Sequence, residues 1–189
     1  MSAKSLKVSG PIYQLKITLL GCRPPIWRRV LVPGSFSLYK LHLVIQLVMD
    51  WTDSHLHQFI INEQYYSIPS PDDWKPVIDE RRITLSKIAP YPKRKFVYEY
   101  DFGDSWMHNV VVEKIFPSEA GAKYPYCIKG KRACPPEDVG GIWGYETFLE
   151  AILDTEHEEH DSYLEWVGGE FDPEAFNIEE INLALRRVK

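Results

Sequence analysis

Hydrophobic and polar positions change their rhythm several times along the chain, and each change marks an element. Between Ile12 and Leu20 the apolar residues Tyr13, Leu15, Ile17 and Leu19 fall at every second position, the period of a half-buried strand, and Gly21 ends it. Pro24-Pro25 breaks the chain before a second strand, Ile26 to Val32, which stops at the Pro33-Gly34 turn. The period then lengthens. In SLYKLHLVIQLVMDW, Leu38, Leu41, Val44, Ile45, Val48 and Trp51 recur at helical spacing behind a capping Ser37, which predicts an amphipathic helix. Alternation returns in His55 to Asn62 and Tyr65 to Ile68, joined at Glu63-Gln64 and followed by a Pro-rich loop from Pro69 to Pro76. Thr84 can cap a short turn over Leu85 to Ala89, and strands Phe96 to Phe102 and Trp106 to Ile115 complete the first part. This order predicts an α+β fold in which a mixed β-sheet carries one principal packed helix, a β-grasp-like core, over residues 1–115.

Beyond Ile115 the texture changes. Residues 116–144 are rich in proline and glycine, and so long an irregular stretch suits a functional loop folded on the core. Residues 145–189 read as a C-terminal helical segment, with helices over Tyr145 to Leu153, Glu158 to Val167, and beyond Asn177. Asn177 and Glu180 form a capping-box-like start, and Asp172-Pro173 reads as a further cap with proline at the first helical position. The three stretches are expected to make one compact domain.

The stretch YEYDFGDSWMH, residues 98–108, concentrates candidate chemistry. With Gly103-Asp104 as a two-residue type II′ turn, Glu99 pairs with His108 and Asp101 with Trp106, so Glu99, Asp101, Trp106 and His108 share a face opposite Tyr98, Tyr100 and Phe102. Two carboxylates beside an imidazole can tune a base or hold a divalent metal. His55 and His57, alternate residues of one predicted strand, point the same way and can chelate a metal if Asp101 or His108 comes near. Asp104 offers a further ligand. Glu137 and Asp138 stand between the stiff Pro135-Pro136 and the permissive Gly140-Gly141, a shaped loop presenting two carboxylates. Cys127 and Cys134 lack zinc-knuckle spacing and are expected to be small buried residues. His157-Glu158-Glu159-His160 has histidines three apart rather than the four of a zincin helix, so it reads as a solvated helix start. A P-loop, a dinucleotide fingerprint and a serine nucleophile elbow do not occur.

Composition narrows the functional classes. A chain of 189 residues, 44% hydrophobic and 13% aromatic, can bury a sizeable core. Its net charge of -5 disfavours nucleic-acid coating and anionic membranes, and Arg28-Arg29, Arg81-Arg82, Lys93 to Lys95 and Lys129 to Arg132 read as solvated turns. The beginning MSAKSLKVSGPIY has no apolar leader, and Leu41 to Met49 is too short to span a bilayer. An odd count of cysteines, 3, suits a reducing compartment, so the expectation is a cytoplasmic protein without a membrane partner.

Several separated motifs act together here: Ile26-Trp27-Arg28-Arg29, Leu41-His42, Trp51 with His55-Leu56-His57 and Phe59, Tyr98 to His108, and Pro135 to Gly141 with Gly144-Tyr145. On them the chain resembles the plasmid pRiA4b ORF-3-like family over nearly its whole length. The resemblance implies a family of plasmids and of bacterial and archaeal genomes, without a defined activity; some members are labelled resolvase-like passengers of insertion elements. Recombination is not expected, since a nucleophilic serine among arginines and an attached DNA-binding helical module are not evident. The leading expectation is a non-catalytic module binding a small ligand or protein partner in a polar cleft of Glu99, Asp101, Asp104, Trp106, His108, Glu137 and Asp138. It takes no cofactor and keeps its fold in chelator. The alternative is a metal-dependent hydrolase whose divalent metal is held by His55, His57, Asp101 and His108, with Asp104 as a further ligand or base. A weaker alternative is a mobile-element-associated nucleic-acid-binding protein acting through Arg28-Arg29 and Lys129 to Arg132.

Overall fold

The computed structural model describes residues 10–188; the expectation of no apolar leader falls largely on residues 1–9, outside the described residues. The chain runs β1 (Pro11–Leu19), β2 (Trp27–Pro33), α1 (Leu38–Met49), β3 (His57–Ile61), β4 (Gln64–Ser67), β5 (Val77–Asp79), α2 (Leu85–Ile88), β6 (Lys95–Tyr100), β7 (Trp106–Pro117), β8 (Tyr126–Lys131), α3 (Gly141–Leu153), α4 (His160–Trp166) and α5 (Ile178–Leu185). The strands form an 8-stranded sheet in the order β5-β4-β3-β6-β7-β1-β2-β8. Only the β4–β5 pairing is parallel, so the fold is α+β with a mixed sheet, as the changing periods require.

The alternating residues of β1 do what their spacing dictates. Leu15, Ile17 and Leu19 are buried and register with Val112, Val110 and His108 of β7. On the same face lie Phe96, Tyr98 and Tyr100 of β6 and Phe59 of β3. Across this layer packs α1, burying Leu38, Leu41, Val44, Ile45 and Val48. Ser37 caps the helix, its side chain accepting from Lys40 N at 3.2 Å, and Asp50 ends it in the left-handed region at φ 61°. Trp51, at helical spacing in the sequence, therefore lies past the helix end yet stays buried.

Several expectations are corrected. The β6–β7 hairpin pairs Tyr100 with Trp106 and Tyr98 with His108, one residue away from the register of a two-residue turn. Residues 101–105 all belong to the connection. Asp101 (φ 57°) and Ser105 (φ 54°) both enter the left-handed region, and Asp101 Oδ1 accepts from Gly103 N at 2.9 Å while its carbonyl accepts from Ser105 N at 2.6 Å. Because side chains alternate with period two, a slip of one residue exchanges the faces of β7. Trp106 and His108 thus join Tyr98 and Tyr100 in the core, and the predicted polar face of Glu99, Asp101, Trp106 and His108 is not formed.

β5 and β8 were not expected. β8 lies inside the Pro/Gly-rich stretch and has a weak signal because only Cys127 of its six residues is buried. Its Gly130 gives way to the ring of Phe176, which occupies the space a side chain would need. Thr84 precedes α2, but its hydroxyl meets Ser86 Oγ at 3.2 Å instead of a backbone amide. Asp172-Pro173 starts a turn and not a helix, with Asp172 Oδ1 accepting from Glu174 N at 2.9 Å. α5 begins after Asn177, whose side chain accepts from Glu179 N and Glu180 N at 3.1 and 3.3 Å.

Candidate functional site

Three connections meet at one edge of the core: the segment after α1, the hairpin turn at residues 101–105, and the loop leading into α3. Short polar contacts clasp them. Trp51 Nε1 donates to Pro135 O at 3.0 Å. Glu137 Oε2 accepts from Thr52 N at 3.0 Å and from Thr52 Oγ1 at 2.5 Å, and its Oε1 accepts from Tyr100 OH at 2.5 Å. Tyr100 OH in turn accepts from Ser54 N at 2.9 Å, while burial and the Glu137 carboxylate raise its pKa. Asp104 Oδ2 accepts from Gly140 N at 3.1 Å. Gly141 must be glycine for two reasons: its φ is +69°, and a Cβ there would lie 2.7 Å from Asp104 O. The Pro-Pro and Gly-Gly flanks read in the sequence thus hold Glu137 and Asp138 against the hairpin turn.

Inside this clasp His55 stands between two carboxylates. Its Nδ1 is 3.7 Å from Asp101 Oδ2 and its Nε2 3.2 Å from Asp138 Oδ1. Nε2 is buried and makes no hydrogen bond, because Asp138 approaches too obliquely for one despite the short distance. One ligand atom from each of His55, Asp101 and Asp138 lies within 4.8 Å of the other two. Asp138, held at φ 62°, is 71% exposed, while Asp101 is nearly enclosed. Among the described residues the ion pairs of Asp101 and Asp138 are with His55 alone.

A second cluster lies deeper, between α1 and the sheet. His42 and His57 stack with ring centroids 3.5 Å apart and planes 3° from parallel. Gln46 Nε2 donates to Tyr98 OH at 3.0 Å, and Tyr98 OH lies 2.8 Å from His42 Nδ1. Asp53 Oδ1, 2.9 Å from Nε2, is a carboxylate oxygen and accepts, so the proton of the neutral imidazole sits on Nε2 and Nδ1 accepts from Tyr98 OH. Burial, and then the charge of His57, pushes the His42 pKa down to about 2. Burial raises that of Asp53. His57 Nε2 meets both oxygens of the fully buried Glu80, at 2.9 and 3.1 Å.

His42, Asp53 and His57 also bring ligand atoms within 4.8 Å, yet the stacking argues against a metal there. An imidazole lone pair lies in its ring plane, so two rings stacked face to face aim side by side and do not converge on one ion. This cluster is a hydrogen-bonded pair built into the core.

The expected site residues are therefore divided. Asp101 and Asp138 are brought to His55, with Glu137 bonded to Tyr100 OH and Asp104 to Gly140 N alongside. His57 belongs to the deeper cluster, since the strand begins at His57 and His55 precedes it. Glu99 faces the other side of the sheet, bonded to Gln58 Nε2 at 2.5 Å and Ser105 Oγ at 3.1 Å. Trp106 and His108 are fully buried; His108 bonds Trp106 O through Nδ1 at 2.9 Å, and burial pushes its pKa down to about 4. Thr52, Ser54, Tyr100, His42, Gln46 and Glu80 were not anticipated. His42 and Gln46 left a signal, two polar residues four apart on the apolar face of α1. Glu80, beside Asp79, Arg81 and Arg82, left none.

The basic clusters are divided: Arg29 meets Lys93, Lys95 and Lys114 around one open hollow on the sheet that also holds Glu113, whereas Arg28 and Arg132 are buried. Arg28 is buried and donates to Val48 O, Lys131 O and Cys134 Sγ at 2.7, 2.9 and 3.1 Å. Arg29 is paired with Glu113, and buried Arg132 with Glu174. Burial raises the thiol pKa of Cys22 to about 12 and of Cys134 to about 11, and all 3 cysteines are free. No helix among the described residues is long and apolar enough to cross a membrane.

Comparison with known proteins extends these observations. Residues 11–180 match the family described as plasmid pRiA4b ORF-3-like protein. The uncharacterized protein y4hQ of Sinorhizobium fredii is 40% identical over 176 residues, covering 92% of this chain and 90% of that protein. The crystal structure of a protein of unknown function from Methanosarcina mazei, MM3350, superposes with a TM-score of 0.82 at 40% identity, covering 90% of this chain and 97% of that one.

Proposed function

The chain belongs to the plasmid pRiA4b ORF-3-like protein family, and we propose that within this fold it is a non-catalytic binding module whose cleft takes a cationic group of a small ligand or protein partner. One observation carries the reading: two connections, the hairpin turn and the loop into α3, bring Asp101 and Asp138 to His55 on a third, with Asp104 and Glu137 bonded alongside, and among the described residues the ion pairs of Asp101 and Asp138 involve no lysine or arginine. A ligand ammonium or guanidinium supplies the missing charge, and Tyr100 and Trp51, stacked at 5.0 Å between ring centroids, stiffen the wall behind it. Thermal-shift and calorimetric titration with putrescine and agmatine tests it. Stabilisation that Asp138→Asn weakens supports the reading, and an unchanged melting curve with both compounds rejects it.

A second reading, a metal-dependent hydrolase, is favoured specifically by the ligand atoms of His55, Asp101 and Asp138 within 4.8 Å of one another. In it a divalent cation bound there would lower the pKa of a bound water. Elemental analysis separates the two: one transition metal per chain, lost in His55→Ala, supports the hydrolase, and metal-free protein that still binds agmatine supports the binding module.

A further inference from the structure

A groove of about 790 Å³ lies between the C-terminal end of α1 and the α4–α5 segment. We propose that it is the docking site for a basic, apolar-interleaved peptide segment of a partner protein. This goes beyond the cleft reading: Trp51 and Glu137 line both places, but the carboxylates it uses, named below, are not those around His55.

The floor is apolar, formed by Leu47, Phe171, Phe176 and Ile181, and its volume suits one or two anchoring side chains. The rim is acidic: Asp50, Glu170, Asp172 and Glu180 line it and are all exposed. Among the described residues none of these four has an ion-pair partner. The one cationic side chain in the lining, Arg28, is turned inward; its N–H groups are spent on Val48 O, Lys131 O and Cys134 Sγ, and its guanidinium lies 4.9 Å from the Phe176 ring centroid.

One further feature has the same sign. Trp166, 47% exposed at the rim, offers a π face to an ammonium or guanidinium. A nucleic acid or an anionic membrane would be repelled by such a rim. A purely apolar segment would desolvate carboxylates without pairing them. A segment in which lysine or arginine alternates with leucine or phenylalanine satisfies the rim and the floor together.

The test is fluorescence anisotropy with the full chain and a labelled peptide alternating lysine and leucine, against the same peptide with glutamate for lysine. The lysine peptide is expected to bind, more weakly at high salt, and the glutamate peptide not to bind. Glu170→Lys combined with Asp50→Asn should weaken binding about tenfold or more. Glu63→Lys combined with Asp72→Asn makes the same change of charge on the β4–β5 side, away from the β8 edge where α5 packs, and should leave binding unaltered. Circular dichroism melts check that both variants fold, and Glu180→Gln alone repeats the test if the first does not. Equal weakening by both pairs, equal binding of both peptides, no binding of the lysine peptide, or self-association of the chain through this groove each overturn the proposal.

Discussion

His42 and His57 on one side, and His55 on the other, flank the same short segment after α1, and both sets are surrounded by carboxylates, yet they are built for opposite ends. In the deep pair every nitrogen with a described bond points at a partner held in place: the buried Tyr98 and Glu80, and Asp53, exposed but tied by its backbone N–H to Gln46 Oε1. In the cleft the imidazole has carboxylates near both nitrogens and a hydrogen bond through neither, and one of those carboxylates is largely in solvent. Buried polar networks that are fully satisfied rigidify a core; polar groups left under-satisfied near the surface are available to something else. Ligand type alone would make both clusters metal sites, and only the ring geometry and the satisfaction of each nitrogen separate them.

The comparison breaks most readily at Glu80. Its carboxylate is completely enclosed and holds His57 at 2.9 and 3.1 Å. Glu80→Ala strands a buried imidazole and should cost about 3 kcal/mol or more of stability, read as a shift of the urea midpoint. A loss below about 1 kcal/mol would mean that the deep pair is not the structural element described.

The next effect is on pH dependence. Both His42 and His108 have folded pKa values below the ordinary histidine value of 6.5, at about 2 and about 4 respectively. Between those values and 6.5 the unfolded chain binds protons that the folded chain does not, so stability is complete above pH 6.5 and is lost as pH falls. The loss from His108 levels off near pH 4, and that from His42 continues toward pH 2. Each histidine contributes a slope of at most about 1.4 kcal/mol per pH unit. Urea midpoints measured from pH 7 to pH 4.5 should fall steadily, and His108→Gln should flatten the curve. If His108→Gln leaves the slope as it was, the buried imidazole is not the source of the loss.

Why some of this was legible in the sequence and some not follows from the same physics. β1 and α1 could be read because each buries one face against the other, so their periods are undisguised. The convergence of Asp101, Asp104, Glu137 and Asp138 was foreshadowed by the Pro-Pro and Gly-Gly flanks and by the acidic hairpin turn. The hairpin register was misread because Gly103-Asp104 resembles a two-residue turn, whereas Asp101 takes the left-handed conformation itself and lengthens the connection. That single slip sent His108 and Trp106 to the core. His57 was separated from His55 by a tertiary partner, Glu80, that no local pattern announces.

The smallest stability effect is expected at Asp138, where the comparison is sharpened most. This residue is 71% exposed on the side chain and sits at φ 62°, a conformation that asparagine tolerates as well as aspartate. Asp138→Asn removes a charge 3.2 Å from His55 Nε2, but the lost attraction is weak in solvent, and relief of repulsion from nearby Asp101 opposes it. Stability should stay within about 0.5 kcal/mol of the parent, while the response to agmatine shrinks. The same conservative change of carboxylate to amide at Glu80, Glu80→Gln, should do the reverse, lowering the urea midpoint and leaving agmatine binding intact. A residue that matters to a ligand and not to the fold, set against one that matters to the fold and not to a ligand, is the difference between the open and the closed cluster expressed as two measurements.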